Sequence, residues 1–321
     1  MNLDIIKCHG SRNDFIIIDE LKGLYTWTEE ERAAVTRTIS KRDGAVGSDG
    51  VLFVQPSSRA DAKMRMLNSD GSEAEMCGNG LRCAARYVLD QMDTSSITVE
   101  TMKADLKCAE VDEVFPGVRT FEVAIEPVSL RPATLPMTTE QALWINQEIP
   151  PLSENLAFTA LSVPNPHLAA VTEKVTAEEA EETGVRANQL KELFPNGTNV
   201  SLIQLIQDND IFVRTYERGV GLTNACGTAM SASSVVSVLL DYLPLDEVIT
   251  VYNPGGMVQT VVSQDEQEEY HVKLRGNATF SWHGTVHLSG DDAELLSQED
   301  LEEEEAYGSM AEAAAARLNK V

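Results

Sequence analysis

Two glycine-rich turns, each leading to one cysteine, constrain the fold of this 321-residue chain most strongly. The first turn runs from Asn68 to Gly80 and contains Cys77, and the second runs from Tyr216 to Thr228 and contains Cys226. Each cysteine is followed by Gly, a small polar residue and a helix-forming run. Each thiol is therefore predicted to lie at a helix N-terminus, where backbone N–H groups and the helix dipole favour a thiolate. Two such turns in one chain suggest two thiols that act together.

The order of predicted elements around the two turns repeats along the chain. After Cys77, apolar residues recur at i, i+3, i+4, i+7 and i+8, which predicts an amphipathic helix. After Cys226, residues 229–240 are apolar or Ser on every side, which predicts a helix buried all round. Strands precede each turn and follow each helix, at 3–7, 15–19, 51–54, 64–67, 96–100, 105–110 and 118–125 in one half and at 156–163, 169–171, 199–204, 212–216, 248–252, 258–262 and 270–275 in the other. This repetition predicts an internal duplication.

Charge and hydropathy exclude several classes of partner. The net charge of −26 argues against binding to nucleic acid or to an anionic membrane. The apolar runs are too short to span a bilayer, and the N-terminus lacks a signal-peptide pattern, so a cytoplasmic protein is expected. Residues 289–321 are acidic and of low complexity. They are predicted to form a tail outside the fold, and truncation after Leu288 is expected to leave activity intact.

The spacing of the cysteines argues against a metal site or a disulfide framework. The chain contains five cysteines, Cys8, Cys77, Cys83, Cys108 and Cys226. No Cys-x-x-Cys pair is present, and a zinc site requires clustered ligands. Disulfides are not expected in a cytoplasmic protein of this size. Cys8, Cys83 and Cys108 are therefore interpreted as small buried apolar side chains, and no metal is expected.

Two thiols on opposite faces of a bound carbon atom can invert it by proton exchange. One, as a thiolate, removes the proton, and the other, as a thiol, delivers a proton to the far face. The two thiols would then titrate as a coupled pair. Removal of a proton next to a carboxylate places negative charge on that group. Backbone N–H groups of Gly78–Asn79 and Gly227–Thr228 could bind this charge, so the reaction needs neither a metal nor an imine cofactor.

Four collinear segments, Lys7–Phe15, Asn68–Cys83, Asn165–His167 and Tyr216–Thr228, resemble the diaminopimelate epimerases. The resemblance covers residues 1 to about 288. It implies a cofactor-independent (PLP-independent) epimerase that interconverts LL- and meso-2,6-diaminopimelate in lysine and peptidoglycan precursor biosynthesis. It also implies an α+β fold of two similar halves, each a mainly antiparallel sheet wrapped round a central helix, with the active site between them. The first half would comprise 1–125 and a returning strand at 276–288, and the second 126–275.

The resemblance also implies roles for individual residues. Cys77 and Cys226 would be the base and the acid. The reacting carboxylate would be held by the backbone N–H groups of Gly78, Asn79, Gly227 and Thr228. The distal amino-acid end of the substrate would be bound by Asn13, Asn68, Asn165, Asn199 and Arg218, the last through a bidentate fork. Glu217, also a substrate contact, and His167 would adjust the protonation of the thiols. Without the resemblance, an Asn in a glycine-rich turn usually serves the turn itself.

Two residues depart from the family pattern, and two other functions stay open. Gly50 stands where many relatives have a Gln that contacts substrate, and Leu222 stands where many have Glu. One alternative is a racemase of amino acids with a single head group, such as histidine or proline. The other is a redox-sensing dithiol or a catalytically silent binding protein. The asparagines and Arg218 favour diaminopimelate, and a sensor would leave the Glu217–Arg218 pair unexplained. The sequence leaves open whether the enzyme is a homodimer.

Overall fold

The computed structural model describes residues 1–74 and 76–318. Glu75 in the first cysteine turn and positions 319–321 of the predicted tail lie outside the described residues. The chain divides into two compact units. The first comprises Met1–Val123 and Gly276–Ser309, and the second comprises Ala124–Arg275 and the residues from Met310 onward. The sequence-based boundary at 125 thus lies two residues from the observed one.

Strands make up most of the regular structure. The strands before the middle of the chain are β1 (Asn2–Gly10), β2 (Asn13–Asp19), β3 (Gly50–Gln55), β4 (Ala62–Asn68), β5 (Ser96–Glu100), β6 (Asp105–Phe115), β7 (Val118–Ile125) and β8 (Gln147–Glu148). The later strands are β9 (Ala157–Val163), β10 (Asn165–Thr172), β11 (Asn199–Leu205), β12 (Asp210–Glu217), β13 (Gly221–Thr223), β14 (Val248–Asn253), β15 (Gly256–Gln264), β16 (Tyr270–Asn277), β17 (Thr279–Ser289) and β18 (Asp292–Asp300). The α-helices are α1 (Glu29–Ile39), α2 (Gly78–Met92), α3 (Ala177–Gln189), α4 (Gly227–Leu239) and α5 (Glu304–Leu318). Among the described residues, no helix is both long and apolar enough to cross a membrane.

In the first unit, one sheet surrounds helix α2. Its strand order is β18–β17–β1–β2–β3–β4–β5–β6–β7, and all neighbours are antiparallel except the pairs β2–β3 and β4–β5. Helix α2 contacts each strand from β1 to β6, so it is the central helix of this unit. Helix α1 covers the opposite face, where Ile39 packs with Ile16 and Ile18.

The second unit repeats this pattern. The pairs β9–β10, β11–β12, β14–β15 and β15–β16 are antiparallel, whereas β10–β11 and β12–β14 are parallel. Helix α3 connects the first parallel pair, as α1 does in the first unit, and α4 connects the second, as α2 does. Helix α4 contacts β9, β10, β11, β12, β14 and β15. The predicted α+β fold, with a mainly antiparallel sheet around a central helix in each half, is confirmed.

Local sequence explains several of these elements. The spacing of Thr28 and Glu31 in the sequence predicts a capping box at the start of α1. The structure has it: the Thr28 hydroxyl accepts from the Glu31 N–H, and the Glu31 carboxylate accepts from the Thr28 N–H. In β2, Phe15 and the three isoleucines that follow it are all buried, as expected for a strand covered on both faces.

Helix α4 is buried along nearly its whole length despite its serines, as predicted. Residues Gly227–Val238 are all buried. The hydroxyls of Ser231, Ser234 and Ser237 donate to carbonyl oxygens four residues earlier, at 3.0, 3.0 and 2.9 Å. These bonds satisfy three of the buried hydroxyls, and only that of Ser233 among the serines of α4 is buried without a partner.

The prediction that the residues from Ser289 lie outside the fold is wrong for the described part of that segment. Strand β18 pairs with β17 along its whole length, with Ala293 and Leu295 packed on the core and most acidic side chains exposed. In α5, Tyr307, Met310 and Ala314 are buried and follow i, i+3, i+7 spacing. The low-complexity composition hides this narrow apolar stripe, which is enough to dock a helix.

A second correction concerns the Asn-Pro-His segment. Sequence patterns predicted that Pro164–His167 separate two strands, but β10 already begins at Asn165. Pro166 is paired in register with Ser162, and His167 lies beside Asn199 of the parallel strand β11. The segment is therefore an ordered strand start, which fixes where the His167 side chain lies.

Candidate functional site

Cys77 is the N-cap of α2. Its backbone is extended, and the thiol sulfur accepts a hydrogen bond from the Gly80 N–H at 3.3 Å. Gly78 and Asn79 are the first two helical residues, whose N–H groups have no partner within the helix. The thiol therefore lies against the positive end of a 15-residue helix, which stabilises a thiolate. The predicted position of Cys77 at a helix start is thus observed.

Asn13, at the start of β2, is brought to this thiol. The Cys77 thiol donates to the Asn13 side-chain oxygen at 3.8 Å, and the Asn79 side-chain amide donates to the same oxygen at 3.3 Å. The Asn13 amide nitrogen donates in turn to Asp49 at 2.7 Å. Asp49 therefore fixes which end of the Asn13 amide faces Cys77. Sequence reasoning missed this role of Asp49, whose only local signal is its place in the glycine-rich loop 44–50.

A cluster of charged residues holds Asp49 in turn. The Arg42 guanidinium donates to Asp49 at 2.5 Å and to both oxygens of Asp14 at 2.6 and 2.9 Å. Lys7 also pairs with Asp14. Burial raises the pKa of Asp14, but hydrogen bonds from Arg42 and Lys7 outweigh it and bring the pKa down to about 2. The Asp14 carboxylate therefore stays ionised at neutral pH and keeps its ion pairs with Arg42 and Lys7.

Two other positions in this unit have local structural explanations. The Asn68 side chain donates to the Ser72 hydroxyl at 3.0 Å within the cysteine turn. Its substrate role stays a prediction. At Gly50, a Cβ atom would lie 2.5 Å from the carbonyl oxygen of Leu67. Because that neighbour is backbone, a side chain at position 50 would force the two strands apart.

Cys226 is the N-cap of α4 in the second unit and is buried. Burial raises the pKa of the Cys226 thiol, and the negative charge of Glu217 raises it further. Hydrogen bonds from the Thr228 hydroxyl and the Ala229 N–H act in the opposite direction without cancelling the rise. Cys226 is therefore a neutral thiol at neutral pH. Once it is deprotonated, the N-terminus of α4 can stabilise the thiolate.

A chain of hydrogen bonds leads from His167 to this thiol. The His167 Nε2 atom lies 2.9 Å from the Asn165 side-chain oxygen and 3.1 Å from the Thr228 hydroxyl. Since the Asn165 oxygen can only accept, Nε2 carries the proton, and the Thr228 hydroxyl is left to donate to the Cys226 sulfur at 3.5 Å. Burial, together with the charge of Arg218, lowers the pKa of His167 to about 3, so the imidazole is neutral.

Asn199 begins β11 and Arg218 directly follows β12, and the antiparallel pairing of the two strands brings these residues together. The Asn199 side-chain oxygen accepts from the Arg218 N–H at 2.9 Å, and the Arg218 guanidinium donates to the carbonyl oxygen of Asn196 at 3.1 Å. No carboxylate within residues 1–74 and 76–318 forms an ion pair with Arg218, so most of its donors remain available. Gly184 of α3 leaves room for the ring of Tyr216, two residues before Arg218, because a Cβ there would lie 2.2 Å from that ring.

The second departure from the family pattern, Leu222, serves packing. It lies in β13, half-buried against the core that contains Phe194 and Ala187. Its hydrophobic side chain therefore supports the second cysteine turn from the α3 side.

A cavity of about 540 Å³ in the first unit contains none of these residues; Asp4, Ile17, Asp19, Tyr87, His283 and Glu299 are among its lining residues. Over residues 1–74 and 76–318, no three His, Cys, Asp or Glu side chains are grouped so as to hold a metal ion. The two cysteine clusters therefore remain the candidate functional residues.

Comparison with known proteins identifies the family. The sequence model of diaminopimelate epimerase matches residues 5–118 and 159–281. The chain belongs to the diaminopimelate epimerase family. The diaminopimelate epimerase of Clostridium acetobutylicum is 42% identical to it over 288 residues, which cover 90% of this chain and 86% of the relative. That of Ligilactobacillus salivarius is 44% identical over 286 residues, covering 86% and 88%. Both cysteine turns lie within the matched ranges.

Solved structures of more distant sequence share the fold. A phenazine biosynthesis protein of the PhzF family from Bacillus anthracis matches with a TM-score of 0.66 at 18% identity, covering 90% of this chain and 100% of that one. A hydroxyproline epimerase from Agrobacterium vitis matches with a TM-score of 0.61 at 14% identity, covering 97% of both chains. At these identities the likeness concerns the fold alone, and it agrees with the diaminopimelate epimerase family.

Proposed function

We propose that this protein interconverts LL- and meso-2,6-diaminopimelate without a cofactor, with Cys77 and Cys226 as its two bases. One cysteine, as a thiolate, takes the proton from the α-carbon and becomes a thiol, leaving the bonding electrons on the substrate. The other donates its thiol proton to the opposite face of that carbon and becomes the thiolate. The observation that carries this proposal is the position of both family-motif cysteines as N-caps of the two central helices.

Backbone N–H groups beside each cysteine would stabilise the intermediate. Loss of the α-proton moves negative charge onto the adjacent carboxylate. In our proposal, the N–H groups of Gly78 and Asn79 and those of Gly227 and Thr228 bind that carboxylate, since they are at the N-termini of α2 and α4. Fixed donors of this kind stabilise developing charge without reorganising, which makes proton removal from the α-carbon feasible.

The distal end of the substrate needs a carboxylate partner and several amide contacts. Arg218 supplies a guanidinium whose fork matches a carboxylate. Asn199 supports it through the bond to its backbone N–H, and Asn165 lies beside His167. Together with Asn13 and Asn68, these residues form our proposed contacts for the second amino-acid head. This set favours diaminopimelate over an amino acid with one head group.

The surroundings of Cys226 indicate how the starting protonation state is set. Burial and the charge of Glu217 favour a neutral thiol at Cys226. At Cys77, the helix N-terminus and the Gly80 N–H stabilise a thiolate, whereas the Asn13 oxygen accepts from the thiol form. We propose that Glu217 and the neutral His167 maintain this asymmetry, and that Glu217 also contacts the substrate. The product meso-diaminopimelate would then serve cytoplasmic lysine and peptidoglycan precursor synthesis.

Incubation in deuterated water tests the proposed reaction. The reduced protein is incubated with LL-diaminopimelate with no cofactor added. The stereoisomers are then separated, and their deuterium content is measured by mass spectrometry. We expect meso product carrying deuterium at the inverted α-carbon, because the donating thiol exchanges its proton with solvent. Product that retains only protium contradicts the two-base route. Inactivity on diaminopimelate combined with racemisation of proline or histidine would replace the substrate assignment.

Substitution of Glu217 tests the control of Cys226 protonation. Because the carboxylate raises the pKa of the thiol, Glu217→Gln should lower that pKa and shift the alkylation profile of Cys226 to lower pH. Below the pKa, the rate should rise roughly tenfold for every pH unit of that shift. Iodoacetamide labelling of the Cys226 peptide, measured by mass spectrometry between pH 6 and pH 10, gives the profile. Glu181→Gln, exposed on α3, is the control. An unchanged profile in Glu217→Gln contradicts the assignment.

A further inference from the structure

We propose that the C-terminal segment Asp292–Ser309 positions Asn13 against Cys77 by holding the turn that connects β1 to β2. The segment lies beyond residue 281, where the match to the family model ends. The inference rests on the proposed function, because the reaction it would affect is the proton exchange at Cys77. The contacts that carry it all lie within the first unit.

The turn between β1 and β2 needs external support. Ser11 and Arg12 both have left-handed backbone conformations, with φ values of 54° and 65°, although neither is glycine. Such residues are strained and persist only where surrounding contacts hold them. From one side, the Asn277 side-chain oxygen accepts from the Ser11 N–H at 2.8 Å, and Arg82 donates to the Ser11 hydroxyl at 3.2 Å. Asn13 follows directly after this turn.

Tyr307 of α5 supports the turn from the other side. Its ring, which is buried, meets the His9 ring edge to face at a centroid distance of 4.5 Å. The Arg12 guanidinium carbon lies 5.9 Å from the centre of the same ring. Aromatic and cation–π contacts of this kind are attractive, and here they hold His9 and Arg12, on either side of Ser11.

Glu304 fixes the His9 ring that Tyr307 packs against. His9 Nδ1 accepts from the Arg12 N–H at 3.3 Å, so Nε2 carries the proton and donates to Glu304 at 3.3 Å. The Ser281 hydroxyl donates to the same carboxylate at 2.5 Å. The imidazole thus connects the C-terminal segment to the backbone of the strained turn. The hydrogen bond from His9 lowers the pKa of Glu304 to about 2, so the carboxylate is ionised whenever the enzyme works.

Glu303 anchors the segment to the helix that carries Cys77. Its carboxylate accepts two hydrogen bonds from the buried Arg86 of α2, both at 2.6 Å, and a third from the Phe280 N–H at 3.0 Å. Arg86 also lies over the Phe280 ring at 3.9 Å. The segment is therefore fastened to α2 and to the β1–β2 turn at once. It sets the distance between the two elements that bring Asn13 and Cys77 together.

The experiment compares Tyr307→Ala and Glu304→Gln with the wild-type chain. Hydrogen exchange is measured on the peptide containing Arg12 and Asn13, the iodoacetamide reaction on Cys77, and kcat and KM on diaminopimelate epimerisation. In Tyr307→Ala we expect at least tenfold faster hydrogen exchange in this turn, an altered rate of Cys77 alkylation and a kcat lowered about tenfold. In Glu304→Gln we expect smaller changes in all three measurements. Tyr307→Phe keeps the ring on His9 and Arg12 and removes only the hydroxyl that interacts with Arg12, so its kcat should stay within about threefold of the wild-type value.

Glu305→Gln, an exposed acid of the same helix, is the matched control and should behave as the wild type. Unchanged exchange at Arg12 and Asn13 in Glu304→Gln and in folded Tyr307→Ala overturns the proposal. If Tyr307→Ala does not fold, Glu304→Gln alone tests the proposal. The Glu304 side chain is half exposed, so replacing its carboxylate by an amide leaves the core unchanged. Hydrogen exchange and alkylation need no substrate. If the wild-type protein is inactive on diaminopimelate, the proposed function is refuted. The hydrogen-exchange and alkylation measurements still decide whether the C-terminal segment positions Asn13.

Discussion

Cys77→Ala and Cys226→Ala should each lower kcat for epimerisation of diaminopimelate by at least about 10³-fold. Inversion needs one group to remove the α-proton and another to return a proton on the opposite face, so neither thiol can replace the other. The stereoisomer composition after incubation with LL-diaminopimelate, followed over time, measures the loss. A circular dichroism spectrum and an unfolding midpoint for each variant confirm that the fold is retained.

Cys83→Ala is the matched control for this pair of variants. Cys83 lies on the same helix as Cys77, yet it is fully buried and faces Cys8, so it has no access to substrate. We expect its kcat to remain within about threefold of the wild-type value, since it takes no part in proton transfer. Full turnover in Cys77→Ala or Cys226→Ala, or an equally large loss in Cys83→Ala, would refute the assignment of the two bases.

Glu303→Ala should lower the free energy of unfolding by about 3 kcal/mol, because the buried charge of Arg86 loses its bidentate partner and keeps only a longer ion pair with Asp90, at 3.6 Å. Arg86 is 5% exposed, and Glu303 is its bidentate partner. Since the Glu303 side chain retains 28% exposure, the expected loss falls at the lower end for a buried pair. Urea titration followed by tryptophan fluorescence measures it.

Glu305→Ala, at an exposed position two residues later, should change the same free energy by less than about 0.5 kcal/mol. Equal stabilities of Glu303→Ala and Glu305→Ala would mean that Arg86 is compensated in another way.

The contacts of Glu303 and β18 also change the outcome that we expect for truncation after Leu288. Removing β18 and Glu303 together should destabilise the first unit and so lower the activity that was expected to stay intact.

Much of the site could be predicted from short sequence patterns because its central features are local. The glycines after Cys77 and Cys226, followed by helical spacing, predicted two N-cap thiols, and Thr28 with Glu31 predicted the start of α1. The duplication followed from the order of elements alone. For the caps and the helices, the signal lies within about a dozen residues, the range over which helix caps and periodicity act.

The contacts that sequence reasoning missed join distant parts of the chain. Asp49 reaches Asn13 because β3 runs parallel to β2, with Gly50 in register with Phe15. Arg86 and Glu303 are 217 residues apart in sequence. The acidic composition around Glu303 also suggested a solvated segment, whereas its pairing with β17, the Glu303 carboxylate and a narrow apolar stripe hold it on the fold. Such pairings depend on tertiary register, which neither composition nor periodicity reveals.

The pairing of β1 with β17 has a consequence for biosynthesis. The second strand of every hairpin in residues 124–275 follows its partner closely, so the sheet of the second unit can form as the chain is made. The first unit instead joins the earliest strand to one that ends at Ser289, and its N-terminal ammonium donates to the carbonyl oxygen of Leu288. During translation, β1 therefore stays without its partner β17 until more than 260 further residues have been made.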